Sequence, residues 1–73
     1  MKFNIYDIIQ AERSDLIAEV VGYDAQHYYV RWMNSGDSML GIRSVDLLFH
    51  KVGKIVPGSA DELLFHGHVP FKD

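Results

Sequence analysis

From Leu16 to Met33, inward and outward positions can be assigned with a period of two, and short polar runs interrupt the pattern every few residues. That pattern argues against a helical bundle. An apolar helix stripe recurs every three to four residues, whereas strand geometry sends alternate side chains to opposite faces. "LIAEVVGY", Leu16 to Tyr23, places Ala18, Val20 and Gly22 on one face and Ile17, Glu19, Val21 and Tyr23 on the other. "HYYVRWM" follows after "DAQ", with Tyr28, Val30 and Trp32 on one face and His27, Tyr29, Arg31 and Met33 on the other.

Further strands flank these two. "IYDIIQAE", Ile5 to Glu12, is rich in β-branched and aromatic residues, and "RSD" is the loop after it. "NSGD" has hairpin-turn chemistry: Asn34 favours turn entry through its side chain, and Gly36 takes positive φ without a Cβ clash. "SMLGIR" reads as a fourth strand, with Gly41 marking a bulge or bend. "SVDLL" reads as one helical turn and "FHKVGKI" as a fifth strand. Short strands joined by tight turns predict a mainly-β domain, a small closed five-stranded barrel over residues 1–56.

Residues 57–73 differ in character. Pro57 and Gly58 punctuate the chain, and "SADE" matches a capping box in which Ser59 and Glu62 satisfy each other's backbone N–H groups. Ala60 to His66 are predicted to form a short helix, stopped by Gly67, that packs on the barrel or on a partner. Leu63, Leu64 and Phe65 are consecutive, so only part of them can face the barrel, and Phe71 adds to the apolar excess.

Composition limits what can hold such a domain together. The 73 residues include no cysteine, so neither a disulfide framework nor a thiolate zinc site is available and apolar packing must suffice. A hydrophobic share of 48% is too high for a disordered chain. Seven basic residues stand against ten acidic ones, for a net charge of −3, and Arg13, Arg31, Arg43, Lys51 and Lys54 are scattered among acids. A duplex-binding surface needs a basic stripe, because phosphate neutralisation supplies much of its affinity. No apolar run is long enough to span a bilayer, and "MKFNIYDIIQ" has no apolar signal region. A cytoplasmic location is expected, in the host cytoplasm if the gene is carried by a phage.

The succession "AEVVGYD", "YYVRWMNSGD" and "SVDL" resembles the Tudor-like and SH3-like small barrels over roughly residues 5–55. Ala18 and Val20 match an Ala-x-Val pattern in the second strand, and Val30 and Trp32 an apolar pair in the third. Asn34 to Asp37 match the following turn, and Asp46 and Leu47 the polar–Leu step after the fourth strand. The resemblance implies a five-stranded barrel used for binding. Tudor domains that read methylated lysine or arginine box the cation with aromatics from the first loop and the turn. Here those places hold "SDL" and Ser35, so the resemblance implies the barrel without that cage.

Catalytic signatures are missing from the sequence: there is no cysteine, nucleophile elbow, phosphate-cradling glycine loop or His-Glu-x-x-His. "HGH", His66 and His68, invites a metal reading with His27 or His50, but zinc needs three or four converging ligands, and solvent-exposed or capping histidines are the simpler account. Neither a metal nor another cofactor is expected. The outward residues Val21, Tyr23, Tyr29 and Met33 suggest an apolar patch, rimmed by Glu19, Arg31 and Arg43. The expected partner-binding set is therefore Tyr23, Tyr29, Arg31, Met33, Arg43, Leu64 and Phe65.

These features predict a small non-catalytic protein-interaction module, an adaptor or a phage or bacterial accessory protein, with a homodimer as one form of self-association. The alternative is a nucleic-acid-binding barrel, in which Tyr28, Tyr29 or Trp32 stacks on bases while Arg31 and Arg43 contact phosphate. The acidic balance weighs against it.

Overall fold

The computed structural model describes residues 1–33 and 36–56. Its elements run β1 (Asp7–Ala11), β2 (Ile17–Tyr23), β3 (His27–Trp32), β4 (Asp37–Gly41), α1 (Ile42–Leu48) and β5 (Phe49–Lys54). The strands pair antiparallel in the order β4-β3-β2-β1-β5. The fold is mainly β, as the alternation predicted.

The closed barrel is corrected. β4 and β5 are the two edges of one sheet, with no ladder between them. The residues linking them, Ile42 to Leu48, are all helical, so no hairpin brings these edges into register. The single helical turn expected from "SVDLL" is thus a seven-residue helix, with Val45 as its buried anchor. Gly41 is its extended N-cap residue.

The core follows the inward faces. Ile9 from β1, Ala18 and Val20 from β2, and Tyr28 and Val30 from β3 are fully buried. Val20 lies across from Val30, and Ala18 lies between Ile9 and Trp32, so these side chains stack through three adjacent strands. Phe3, Val45 and Phe49 complete the cluster, with Trp32, Leu40 and Ile42 packed partly against it. Each fully buried aliphatic side chain contributes about 1.5–3 kcal/mol relative to exposure. Among the described residues, no helix is long and apolar enough to cross a membrane.

Two local departures shape the sheet. β1 begins at Asp7 rather than at Ile5, because Asn4 to Asp7 form a turn. The Asp7 N–H donates to the Asn4 carbonyl at 3.0 Å, and the Asn4 N–H donates to Asp7 Oδ2 at 2.9 Å. Tyr6, the third residue of this turn, has φ 79°, a conformation that type II turns usually assign to glycine. In β2 the ladder to β3 slips between Val20 and Gly22, so Gly22 faces Tyr29 and Tyr23 faces Tyr28. A bulge of this kind adds a residue to one strand and resets its alternation.

Glu19 is also corrected. Alternation placed it on the outer rim, but its side chain is buried, with only 1% of the residue exposed. In the ladders it sits opposite Ile8 and Arg31. The turn residues Asn34 and Ser35 and the predicted helix at Ala60 to His66 lie outside the described residues.

Candidate interaction surface

On the outer face, polar side chains tie the strands to one another. The Arg31 Nε donates to Asp37 Oδ1 at 2.9 Å, and Nη2 reaches Oδ2 at 3.4 Å. The hydrogen bond to Asp37 pushes the Arg31 pKa up, with the Glu19 charge adding to it. Arg31 therefore acts across β2, β3 and β4 as a cation between two carboxylates.

Tyr29 is similarly engaged. Its hydroxyl donates to Asp24 Oδ2 at 2.6 Å, and a Cβ added at Gly22 would come within 3.1 Å of its ring. Asp24 also accepts from the backbone N–H groups of Gln26 at 2.8 Å and His27 at 2.7 Å. These donors, Tyr29 first, hold the Asp24 carboxyl at about 2. The turn joining β2 to β3 is thus organised around one aspartate that accepts turn amides, which favours its ionised form.

An apolar groove lies elsewhere. A cavity of about 500 Å³ is lined by Asp15, Leu16, Ile17, Trp32 and Met33. Its walls come from the β1–β2 loop, the start of β2 and the end of β3. The Ala11 N–H donates to the Leu16 carbonyl at 3.0 Å, and the Met33 N–H to the Ile17 carbonyl at 3.2 Å, which sets one wall against the other. Trp32 is steadied by its indole N–H, which donates to Ser38 Oγ at 2.9 Å, and by the Phe49 ring 6.4 Å away. Leu16 is exposed even though it lines the groove.

Asp15 supplies the groove's charge. Asp7 is approached by Lys51, Glu12 by His50, Asp37 by Arg31, and Asp46 by Tyr28. Among the described residues, Asp15 is the carboxylate with neither a hydrogen-bond partner nor an ion pair. The groove thus joins an apolar wall to an uncommitted negative charge.

The predicted partner-binding residues are divided by this geometry. Met33 lines the groove, while Tyr29 and Arg31 belong to the outer-face network. The slip at Val20/Gly22 moves Tyr23 to Tyr28's side of β2, away from Tyr29. Arg43 is exposed on α1. Leu64, Phe65, His66 and His68 lie outside the described residues. Sequence reasoning missed Asp15, Leu16 and Ile17 as site residues. Their one signal was an apolar pair directly after a polar loop, which is also how an ordinary strand begins.

The histidines within the described residues lie beside separate carboxylates, His27 Nδ1 at 3.3 Å from Asp24 and His50 Nδ1 at 3.2 Å from Glu12. No group of three or more metal-ligating side chains converges among the described residues. Comparison of the chain with protein-family models, curated proteins and solved structures finds no match.

Proposed function

We propose that this chain is a small non-catalytic protein-interaction module, an adaptor or a phage or bacterial accessory protein, built on an SH3- and Tudor-like arrangement of strands. Its binding site is the groove between the β1–β2 loop and the end of β3. The partner inserts an apolar side chain between Leu16, Ile17, Trp32 and Met33, and a neighbouring basic residue meets Asp15. The observation that carries this reading is the combination of an apolar groove with its unpaired carboxylate. Such a site gains from apolar burial and uses charge mainly for orientation and choice of partner. Trp32 is the single aromatic lining residue among those described, which supports an ordinary side chain as guest rather than a caged methylated cation.

Nucleic-acid binding receives less support. Arg31 is committed to Asp37, so one of the two arginines that reading assigns to phosphate is already engaged. The test begins with affinity capture and mass spectrometry to identify a partner, followed by titration with the purified protein. Leu16→Glu is expected to abolish binding while the thermal melt stays near wild type, and Asp15→Lys to weaken it. Unchanged affinity in both variants would remove the groove from the proposal. Binding to single-stranded nucleic acid that falls steeply with added salt would establish the alternative instead.

A further inference from the structure

We propose that the outer edge of β4 is a self-association surface, on which a second copy of the chain pairs its own β4 antiparallel about a two-fold axis at Met39. The groove plays no part in this contact, so the inference stands apart from the proposed partner site.

The argument starts from where the β4 backbone groups point. Around the β3–β4 ladder, the Trp32 N–H donates to the Gly36 carbonyl at 3.1 Å and the Ile42 N–H to the Gln26 carbonyl at 3.0 Å. Tyr28 pairs with Leu40 and Val30 with Ser38 in the same register. In an antiparallel ladder, alternate residues bond to the neighbouring strand and those between them face away. Ser38 and Leu40 therefore face β3, whereas Asp37 and Met39 direct their backbone groups outward and Gly41 its N–H, the Gly41 carbonyl being taken by α1 as its N-cap. Among the described residues no backbone bond occupies the outward N–H groups of these three.

The two edges of the sheet differ in how they meet solvent. β5 carries Lys51 and Lys54, and its ladder to β1 shifts between Ile8 and Ile9. Lysines and bulges are common devices that keep an edge from pairing with another chain. β4, "DSMLG", has neither lysine nor proline, and its pairing with β3 is regular throughout. At its centre Met39 is 59% exposed.

A second copy fits this edge in both charge and pattern. Centred on Met39, antiparallel pairing sets Asp37 opposite the partner's Gly41 and each Met39 beside its counterpart. Asp37 carries the one charge on the strand, and Arg31 already neutralises it, so pairing brings no unscreened like charges together. The amides of Met39 in both copies gain acceptors at the axis. Tyr29 lies across from Met39 on β3 and extends the contact beyond the backbone. A five-residue edge falls short of the roughly 1,600 Å² buried by standard stable interfaces, so the dimer is expected to be weak and concentration-dependent.

Sedimentation velocity on the full chain from about 10 μM to about 1 mM tests this, a range suited to an interface below standard size. The mass should rise from one chain towards two. Amide exchange at Met39 and Gly41 should slow as concentration increases. Met39→Lys should weaken dimerisation by at least about tenfold through edge blunting, and Met39→Leu should preserve it. Val52→Lys on β5 should leave it intact. A melt at low concentration establishes whether Met39→Lys folds; if it does not, exchange in the wild-type chain decides. A single-chain mass throughout, dimerisation undiminished in folded Met39→Lys, or growth beyond two chains would overturn the proposal.

Discussion

The Tyr28 hydroxyl donates to Asp46 Oδ1 at 2.7 Å while accepting the backbone N–H groups of Lys2 at 2.9 Å and Phe3 at 3.0 Å. One phenol thereby ties β3 to α1 and to the N-terminal segment, and the Phe3 ring packs 5.9 Å from its own. No strand ladder closes the sheet, so this junction holds α1 and the N-terminal segment over its inner face.

Tyr28→Phe keeps the ring but leaves the buried Phe3 N–H and the Asp46 carboxylate without their shared partner. Loss of that junction is expected to cost about 1–3 kcal/mol, read from urea unfolding with an unchanged m-value. A midpoint equal to wild type would show that water replaces the hydroxyl at no cost.

The same residue predicts alkaline behaviour. Burial, followed by the bond to Asp46, raises the Tyr28 pKa above its ordinary value. A raised folded-state pKa means the native state holds its proton more tightly than the unfolded chain does. Its stabilising contribution is fully present below about pH 10, the unfolded value, and is lost as pH rises through the folded value. Tyr29, raised chiefly by its bond to Asp24, acts in the same direction. Unfolding midpoints measured from neutral to strongly alkaline pH should fall less steeply in the Tyr28→Phe, Tyr29→Phe double variant.

Asp24 acts at the opposite end of the scale. Its carboxyl is held at about 2, so its contribution is present above the ordinary value of 3.8 and is lost as pH falls through about 2. Carbon-detected NMR titration should find this low value in the wild type. Tyr29→Phe should return it part of the way towards 3.8, because the Tyr29 bond is the largest cause of the shift. An unmoved titration in that variant would contradict the 2.6 Å bond.

Tyr6 tests the turn that delays β1. A left-handed conformation costs a residue with a Cβ about 1–2 kcal/mol that glycine does not incur. Tyr6→Gly should therefore be more stable than Tyr6→Ala by about 1 kcal/mol, a comparison that cancels the lost phenol. If alanine equals glycine in thermal melts, φ at this position is not positive in solution.

Gly22 tests the slip in β2. An added Cβ would lie 3.1 Å from Tyr29 Cδ2, on a ring whose hydroxyl is held by Asp24. Gly22→Ala should cost about 1–3 kcal/mol by overpacking, and much less in a Tyr29→Ala background. Simple additivity of the two substitutions would separate the ring from the glycine.

The strands were legible because their signal is local. Ala18 and Val20 are buried as the period of two required, and so are Tyr28 and Val30. Glu19 was misread because alternation says which face a side chain takes and nothing about what else lies on that face. Tyr23 was misplaced by a single-residue slip that exists only in the pairing of β2 with β3. The groove was hidden for a related reason: Asp15, Leu16 and Ile17 meet Trp32 and Met33 only when the pairing of β2 with β3 brings the start of one strand beside the end of the other.

The sequence by itself determined the class of fold, the number of strands and most inward positions, since side-chain alternation and turn chemistry act over a few residues. Tertiary structure decided that the sheet stays open, that Glu19 is buried, and that Asp15 remains unpaired beside an apolar groove. Those outcomes depend on register and on distances between residues far apart in the chain, which no local pattern of side chains encodes.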